Sequence, residues 1–257
     1  VNFLRLRIRF GIEPGSLLDF NYQWHLTAMV YQVLSLTAPD FTKRLHDAGY
    51  PHLAGPDFKF FTFSTLWAGK GKTKVQKGML KFLTDSLLWR FDTPVPVVAT
   101  LMAEGLLAKG NVRVGPLVMS VEEVLDEPPP DFSSGTACFT CISPLVASLA
   151  DETLGHRYLS PGESRFWQVV AENLRKKWQT LHGQPATGHV EFCPDHHYLA
   201  SRNTGKLITL KGNNVIKGHL VPFKLTAPPQ MIHLGYSAGF GSRNSLGFGM
   251  VEVRKVH

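Results

Sequence analysis

The sequence predicts an α+β fold in two tandem units, and three observations carry that reading. A run of prolines, Pro128-Pro129-Pro130, divides the chain. Residues 3 to 10 alternate with strand periodicity, and the order of strand and helix signals ahead of the prolines is largely repeated after them. The chain has 257 residues, 44% hydrophobic and 18% charged. That is enough for packed cores and unlike disordered, collagen-like or disulfide-framework chains.

Consecutive prolines fix φ and supply no amide donors, so Glu127 to Asp131 reads as an extended boundary, giving expected domains 1–127 and 131–257. In the first, Leu4, Leu6, Ile8 and Phe10 share one strand face, and Phe3, Arg5, Arg7 and Arg9 share the other. Leu26, Met29, Val30, Val33 and Leu34 recur at helical spacing, and Pro39 opens a short second helix through Asp47 that ends before Gly49. Phe58 to Thr65 and Leu87 to Asp92 read as strands, with a glycine and lysine loop from Gly69 to Gly78 between them. Val95 to Lys109 follows as a helix and Val112 to Val124 as a strand. The order β-α-(α)-β-β-α-β is the split βαβ of ferredoxin-like domains.

After the prolines, Ala137 to Ile142 reads as a strand, and Ser160-Pro161 opens a long helix through Trp178, with Glu163 at capping-box spacing from Ser160. Strand signals return at Leu207 to Leu210 and Val215 to Leu225, then a short helix near Pro229 to Leu234 and a last strand from Met250 to Val256. Two ferredoxin-like (RRM-like) domains in tandem are therefore expected.

The formal net charge is +7, with 11 histidines besides, which favours an anionic partner. The second half is the more basic, at +5 against +2 for the first. Arg5, Arg7 and Arg9 interrupt the apolar start, so no signal-peptide core forms there, and no 18-residue apolar run occurs. Cys138, Cys141 and Cys193 are too few for a secreted disulfide framework. A soluble, cytoplasmic protein without a membrane partner is expected. Cys138 and Cys141 form a C-x-x-C that His189, Cys193, Asp195, His196 and His197 would have to complete as a zinc set. On a strand, residues three apart face opposite sides, so neither a metal nor a cofactor is expected.

Gly235 to Val251, G-Y-S-A-G-F-G-S-R-N-S-L-G-F-G-M-V, is the most informative stretch. A dinucleotide loop fails because Asn244 stands where the last glycine of G-x-G-x-x-G should be, and too little chain follows for a βαβ unit. A Walker loop fails for want of G-K-[ST]. A structural glycine turn remains open. Leu246 to Val251 approaches the RNP1 core of an RRM, but RNP1 precedes a helix and a strand that this sequence does not supply.

The segment resembles the C-terminal glycine-rich motif of the CRISPR-associated repeat-processing endoribonucleases of the RAMP superfamily. Asn21 to Leu34, Leu45-His46-Asp47, Lys59 to Ser64 and Thr140 to Val146 are similar to further segments of that family, in the same order. The resemblance implies two ferredoxin-like domains. It further implies metal-independent cleavage of CRISPR repeat RNA, once per repeat, leaving a 2′,3′-cyclic phosphate. Repeat RNA is the implied partner, other CRISPR effector subunits are further candidates, and the state is monomer or homodimer.

By the same resemblance Tyr31, His46 and Lys59 occupy catalytic positions. Such cleavage needs a base for the 2′-hydroxyl, an acid for the leaving 5′ oxygen and positive charge at the phosphorane. Imidazole suits proton transfer, an ammonium suits the phosphorane, and a phenol can position or deprotonate the nucleophile. Whether His46 or Tyr31 is the base stays open at this stage, and His52 is a second loop histidine, ranked below Lys59.

Three patches are expected to hold RNA phosphates. They are the row Arg5, Arg7 and Arg9; the loop lysines Lys70, Lys72 and Lys74, with Lys77 and Lys81; and the glycine loop, with Gly239, Gly241, Ser242, Arg243, Asn244, Ser245, Gly247 and Gly249. Two rival readings remain: a non-catalytic RAMP subunit that binds guide RNA, and a generic tandem RRM protein, which should present exposed aromatics on its sheets.

Overall fold

The computed structural model describes residues 4–52, 57–151, 153 and 155–254. Phe3 and the end of the expected last strand, Lys255 and Val256, lie outside the described residues.

The first half contains β1 (Leu4–Gly11), β2 (Leu17–Leu18), α1 (Gln23–Thr37), α2 (Pro39–Asp47), β3 (Thr62–Phe63), β4 (Thr73–Gln76), β5 (Met79–Phe82), β6 (Ser86–Thr93), α3 (Pro96–Lys109), β7 (Asn111–Val114) and β8 (Leu117–Glu127). Its main sheet runs β3-β6-β1-β8-β7, antiparallel throughout. The first four strands have the ferredoxin-like order. Leu6, Ile8 and Phe10 face α1 and α3 in a core with Val30, Val33, Met102, Phe63, Trp89 and Phe91, as the alternation in β1 requires.

The strand expected from Val112 to Val124 is a hairpin instead, because Gly115 takes φ +57° and turns β7 onto β8. The glycine and lysine loop also folds into a hairpin. Lys77 and Gly78 both have positive φ, the two-residue turn that matches strand twist, and β4 and β5 join β2 in a small sheet. The strand expected at Phe58 to Thr65 shrinks to β3 plus a bridge between Tyr50 and Phe58.

The second half contains β9 (Thr136–Cys141), β10 (Ser148–Asp151), β11 (Gly155–Tyr158), α4 (Ser164–His182), β12 (Glu191–Pro194), α5 (His196–Ser201), β13 (Gly205–Thr209), β14 (Val215–His219), β15 (Phe223–Thr226), α6 (Pro229–Ala238) and β16 (Val251–Val253). The sheet order β12-β15-β9-β16 repeats that of the first half. The hairpins β10-β11 and β13-β14 stand outside it, and α4 and α6 cover a core that includes Phe139, Phe166, Leu174, Phe223 and Phe240. Elements β10, β11, β12 and α5 carry no clear sequence pattern.

Two boundaries move. Glu163 takes the extended N-cap position, without a side-chain cap, so α4 starts at Ser164. The Glu163 carboxylate accepts from the Ser160 amide at 2.7 Å, a box closed on the turn before the helix, and the far end reaches His182 before a left-handed Gly183. The expected strand 215–225 breaks around Pro222, which lacks a ladder donor. No described helix is long and apolar enough to cross a membrane.

The two sheets dock through β1, and this removes Arg5 from the expected arginine row. Arg5 is only 2% exposed. Its Nε donates to Asp92 on the neighbouring β6 at 2.7 Å, Nη1 to the Val251 carbonyl at 2.8 Å and Nη2 to the Tyr236 carbonyl at 3.1 Å, with the guanidinium 3.7 Å from the Tyr236 ring centre. Arg5 is therefore an internal clamp between domains and not an RNA contact. Strand alternation predicts the face a residue takes, and the second domain covers that face at Arg5.

Candidate active site and RNA interface

Helix α1 carries Tyr31 and α2 carries His46. Their rings meet edge to face with centres 4.9 Å apart, and Tyr31 also leans on Phe61. Burial pushes the Tyr31 phenol up to about 12, so it is a hydrogen-bond donor at neutral pH. His46 is exposed, and its Nδ1 lies 2.9 Å from Asp47 Oδ1, a contact that holds the Asp47 carboxyl below the usual range. In a neutral imidazole, a carboxylate at Nδ1 favours the tautomer with the proton there and the lone pair on Nε2.

The chain brings Lys59 back to this place through Gly49. That glycine follows α2 with φ +66°, and a Cβ on it would meet the Phe58 carbonyl and the Lys59 side chain, 2.7 Å and 2.8 Å away. Tyr50 and Phe58 then exchange backbone hydrogen bonds at 2.7 and 3.0 Å. Lys59 Nζ is thereby set against the turn that ends α2. Burial lowers the lysine pKa while Asp57 and Asp47 raise it. The structure thus brings Tyr31 and His46 into contact and sets Lys59 beside the turn after α2, within electrostatic reach of Asp47.

Phe60, next to Lys59, has φ +51°, a conformation rare for a bulky side chain. The twist sends Phe60 into the core of the second domain while Phe61 enters the first. Thr93 Oγ1 fixes it by donating to the Phe60 carbonyl at 2.5 Å. His52 stands away from His46: its Nδ1 lies 2.8 Å from Thr180 Oγ1 on α4. Phe60 in that core and His52 against α4 tie the segment bearing Lys59 to the second domain, while Thr93 ties it to β6.

The glycine loop is built inward. A Cβ on Gly241 would strike the Val146 carbonyl, one on Gly247 the Phe63 ring, one on Gly249 the Phe240 carbonyl, and one on Gly239 the Asn244 amide, all with positive φ at the glycine. Asn244 Nδ2 donates to the carbonyls of Phe240 and Phe248 at 3.1 and 2.9 Å, the Ser242 amide donates to Val146 at 2.9 Å, and the Ser245 carbonyl accepts from Thr27 of α1 at 3.4 Å. Thr62 Oγ1 reaches the Phe248 carbonyl at 3.1 Å. The glycines and the Asn244 side chain are thus spent on contacts inside the protein, and their expected direct hold on RNA gives way to a wedge between α1, β3 and β9. Arg243, half-buried with φ +63°, turns outward, with Nη2 3.0 Å from His156 Nε2.

Lys177 was missed by the sequence reading. It is 2% exposed on α4, and its Nζ donates to the carbonyls of Gly239 and Gly241 at 2.6 and 3.0 Å and to Asn244 Oδ1 at 2.6 Å. Its signal was legible: Phe166, Val170 and Leu174 form the apolar stripe of α4, and a lysine continues it.

The lysine hairpin is the open basic surface. Lys70, Lys72, Lys74 and Lys77 are exposed, Lys74 faces Lys81 across the β4-β5 pair, and none of these five makes an ion pair among the described residues. Arg7 and Arg9 are partly exposed and reach Glu123 at 3.9 Å and Glu122 at 3.3 Å, surface pairs that hold an arginine weakly. Cys138 and Cys141 lie along β9, and no group of three or more metal-ligating side chains occurs among the described residues.

Two family models meet end to end on the chain. "CRISPR-associated protein Cas6, N-terminal" matches residues 17–125, and "CRISPR associated protein Cas6, C-terminal" matches residues 126–253. The chain is 26% identical over 251 residues to the "CRISPR-associated endoribonuclease Cas6 1" of Methanocaldococcus jannaschii, covering 96% of this chain and 92% of that protein. It is 29% identical over 239 residues to the "CRISPR-associated endoribonuclease Cas6" of Pyrococcus furiosus, covering 91% and 83%. A solved structure titled "CRISPR associated protein Cas6" superposes with a TM-score of 0.79 at 25% identity, over 98% of this chain and 100% of that one.

Proposed function

This chain belongs to the CRISPR-associated Cas6 family, and from that premise we propose that it is an endoribonuclease that cuts CRISPR repeat RNA without a metal ion. The observation that supports the chemical reading is the ring contact of Tyr31 with His46 on α2, with Lys59 set beside the turn that follows that helix. We read residues 1–127 as the domain that bears this set and 131–257 as the one that bears the glycine loop.

In this mechanism His46 Nε2 takes the proton of the 2′-hydroxyl while Asp47 holds Nδ1. The 2′ oxygen attacks the adjacent phosphorus, and the bond to the 5′ oxygen breaks, leaving a 2′,3′-cyclic phosphate and a 5′-hydroxyl. Lys59, lowered by burial, yields its proton to the leaving 5′ oxygen more readily than a solvated lysine, and its charge faces the phosphorane. Tyr31 packs against the imidazole, and because burial raises its phenol to about 12, its phenolate is scarcer than that of a solvated tyrosine, so we take His46 as the base. Lys70, Lys72, Lys74, Arg7, Arg9 and Arg243 hold phosphates along the way.

Incubation with repeat RNA in EDTA is expected to give one cut with a cyclic-phosphate end. His46→Ala should slow it by roughly 10²- to 10⁴-fold, read in single-turnover cleavage. Full activity in His46→Ala would overturn the base assignment. RNA binding with no cleavage by the unaltered protein would leave the guide-binding subunit as the better reading.

A further inference from the structure

Trp67 is 60% exposed, whereas the other four tryptophans are buried or half-buried. It is not on a loose loop. Its amide donates to the Leu88 carbonyl at 2.9 Å and its carbonyl accepts from the Leu88 amide at 2.8 Å, so its backbone prolongs the edge of the main sheet beyond β3. Directly paired residues share a face. Leu87, Trp89 and Phe91 point into the core beneath α1 and α3. Leu88 therefore points to the opposite, open face, and Trp67 with it.

The register continues across three strands. Trp67 pairs with Leu88, Leu88 with Arg9, and Arg9 with Glu123. Neighbouring strands lie about 4.8 Å apart, which puts the indole and the Arg9 guanidinium in one row, about 10 Å apart at the backbone. In the other direction Gly69, with φ +96°, and Gly71 turn the chain into the lysine hairpin, so Lys70 and Lys72 follow directly. A flat, rigidly mounted π face thus stands between cations on both sides, at the seam of the open sheet face and the basic ribbon. Cations flanking an exposed indole suit a polyanion that carries planar rings; an apolar protein surface would meet Lys70 and Lys72, which make no ion pair among the described residues.

We propose that Trp67 is a stacking platform for an unpaired nucleobase of bound RNA, with Arg9, Lys70 and Lys72 holding the phosphates on either side. This rests on the RNA-processing reading above and adds a contact on the sheet face away from Tyr31 and His46. Stacking on an aromatic ring tolerates any base, so the platform grips single-stranded RNA without choosing its sequence.

The test is fluorescence anisotropy of a labelled, unstructured repeat RNA and of a uridine oligomer over a salt series, with intrinsic fluorescence read in parallel. Trp67→Ala is expected to weaken binding of both RNAs by roughly 5- to 150-fold at unchanged salt slope, Trp67→Phe to retain most of the affinity, and the tryptophan quenching on RNA addition to shrink in both variants. Arg9→Ala should instead flatten the salt slope. Equal affinity of Trp67→Ala and the unaltered protein overturns the platform while leaving the nuclease reading intact. Absence of RNA binding by the unaltered protein overturns both. An altered sedimentation mass in Trp67→Ala with unchanged RNA affinity overturns the platform in favour of a protein interface.

Discussion

Lys177 sits in a place where a lysine costs most and does most. Its ammonium is out of water, and burial pulls its pKa down to about 7. Three oxygens 2.6–3.0 Å away work the other way, because they need three N–H donors and only the ammonium has them. Replacing it with the similarly long methionine leaves those acceptors buried and unpaired. Lys177→Met should lose about 3 kcal/mol in urea unfolding. An unaltered urea midpoint would mean that the loop does not depend on the lysine. At the same scale, His46 and Tyr31 could be found by resemblance, whereas the burial that raises the Tyr31 phenol to about 12 is not displayed by a sequence.

Among the elements, the glycine loop and the lysine loop each hold a glycine of similar φ, and the two differ. Gly249 has φ +75° and no room for a Cβ beside the Phe240 carbonyl. Gly71 has φ +71° and nothing within 4 Å of the place its Cβ would take. Gly71→Ala should therefore cost only the left-handed conformation, about 1–2 kcal/mol. Gly249→Ala should cost clearly more, since backbone must move, and should unfold at a lower temperature in calorimetry. Equal losses would place the constraint in φ alone. Patterning predicted β1, α1, α2, β6 and α3 closely, because each is long or punctuated by Pro39, Gly49 or Pro96. It missed β10 to β12 and α5, which are four to six residues long and half exposed, and it merged β7 with β8 across Gly115. The capping-box spacing at Ser160 and Glu163 was real as a hydrogen bond and misleading as a helix start.

For the molecule as a whole, Arg5 is the joint. It pairs with Asp92 of its own sheet and spends its other two nitrogens on carbonyls of the second domain. Breaking a buried pair by removing one partner leaves the other charge stranded, so Arg5→Met should lose about 3–5 kcal/mol in urea unfolding. Limited proteolysis between residues 128 and 135 should also quicken as the domains part. Unchanged proteolysis together with unchanged stability would show that docking is held elsewhere. The sequence by itself determined the tandem arrangement and the apolar face of each long element, since these follow from local periodicity and from prolines that cannot join a ladder. It also placed the lysines of the β4-β5 hairpin, where exposure needs no partner. Only the tertiary structure decided that Arg5 is a clamp, that the glycine loop faces inward onto Lys177, and that Phe60 ties the Lys59 segment to the second domain. Each of those depends on which surface meets an already formed face, and contacts between residues so far apart in sequence leave no periodic trace along the chain.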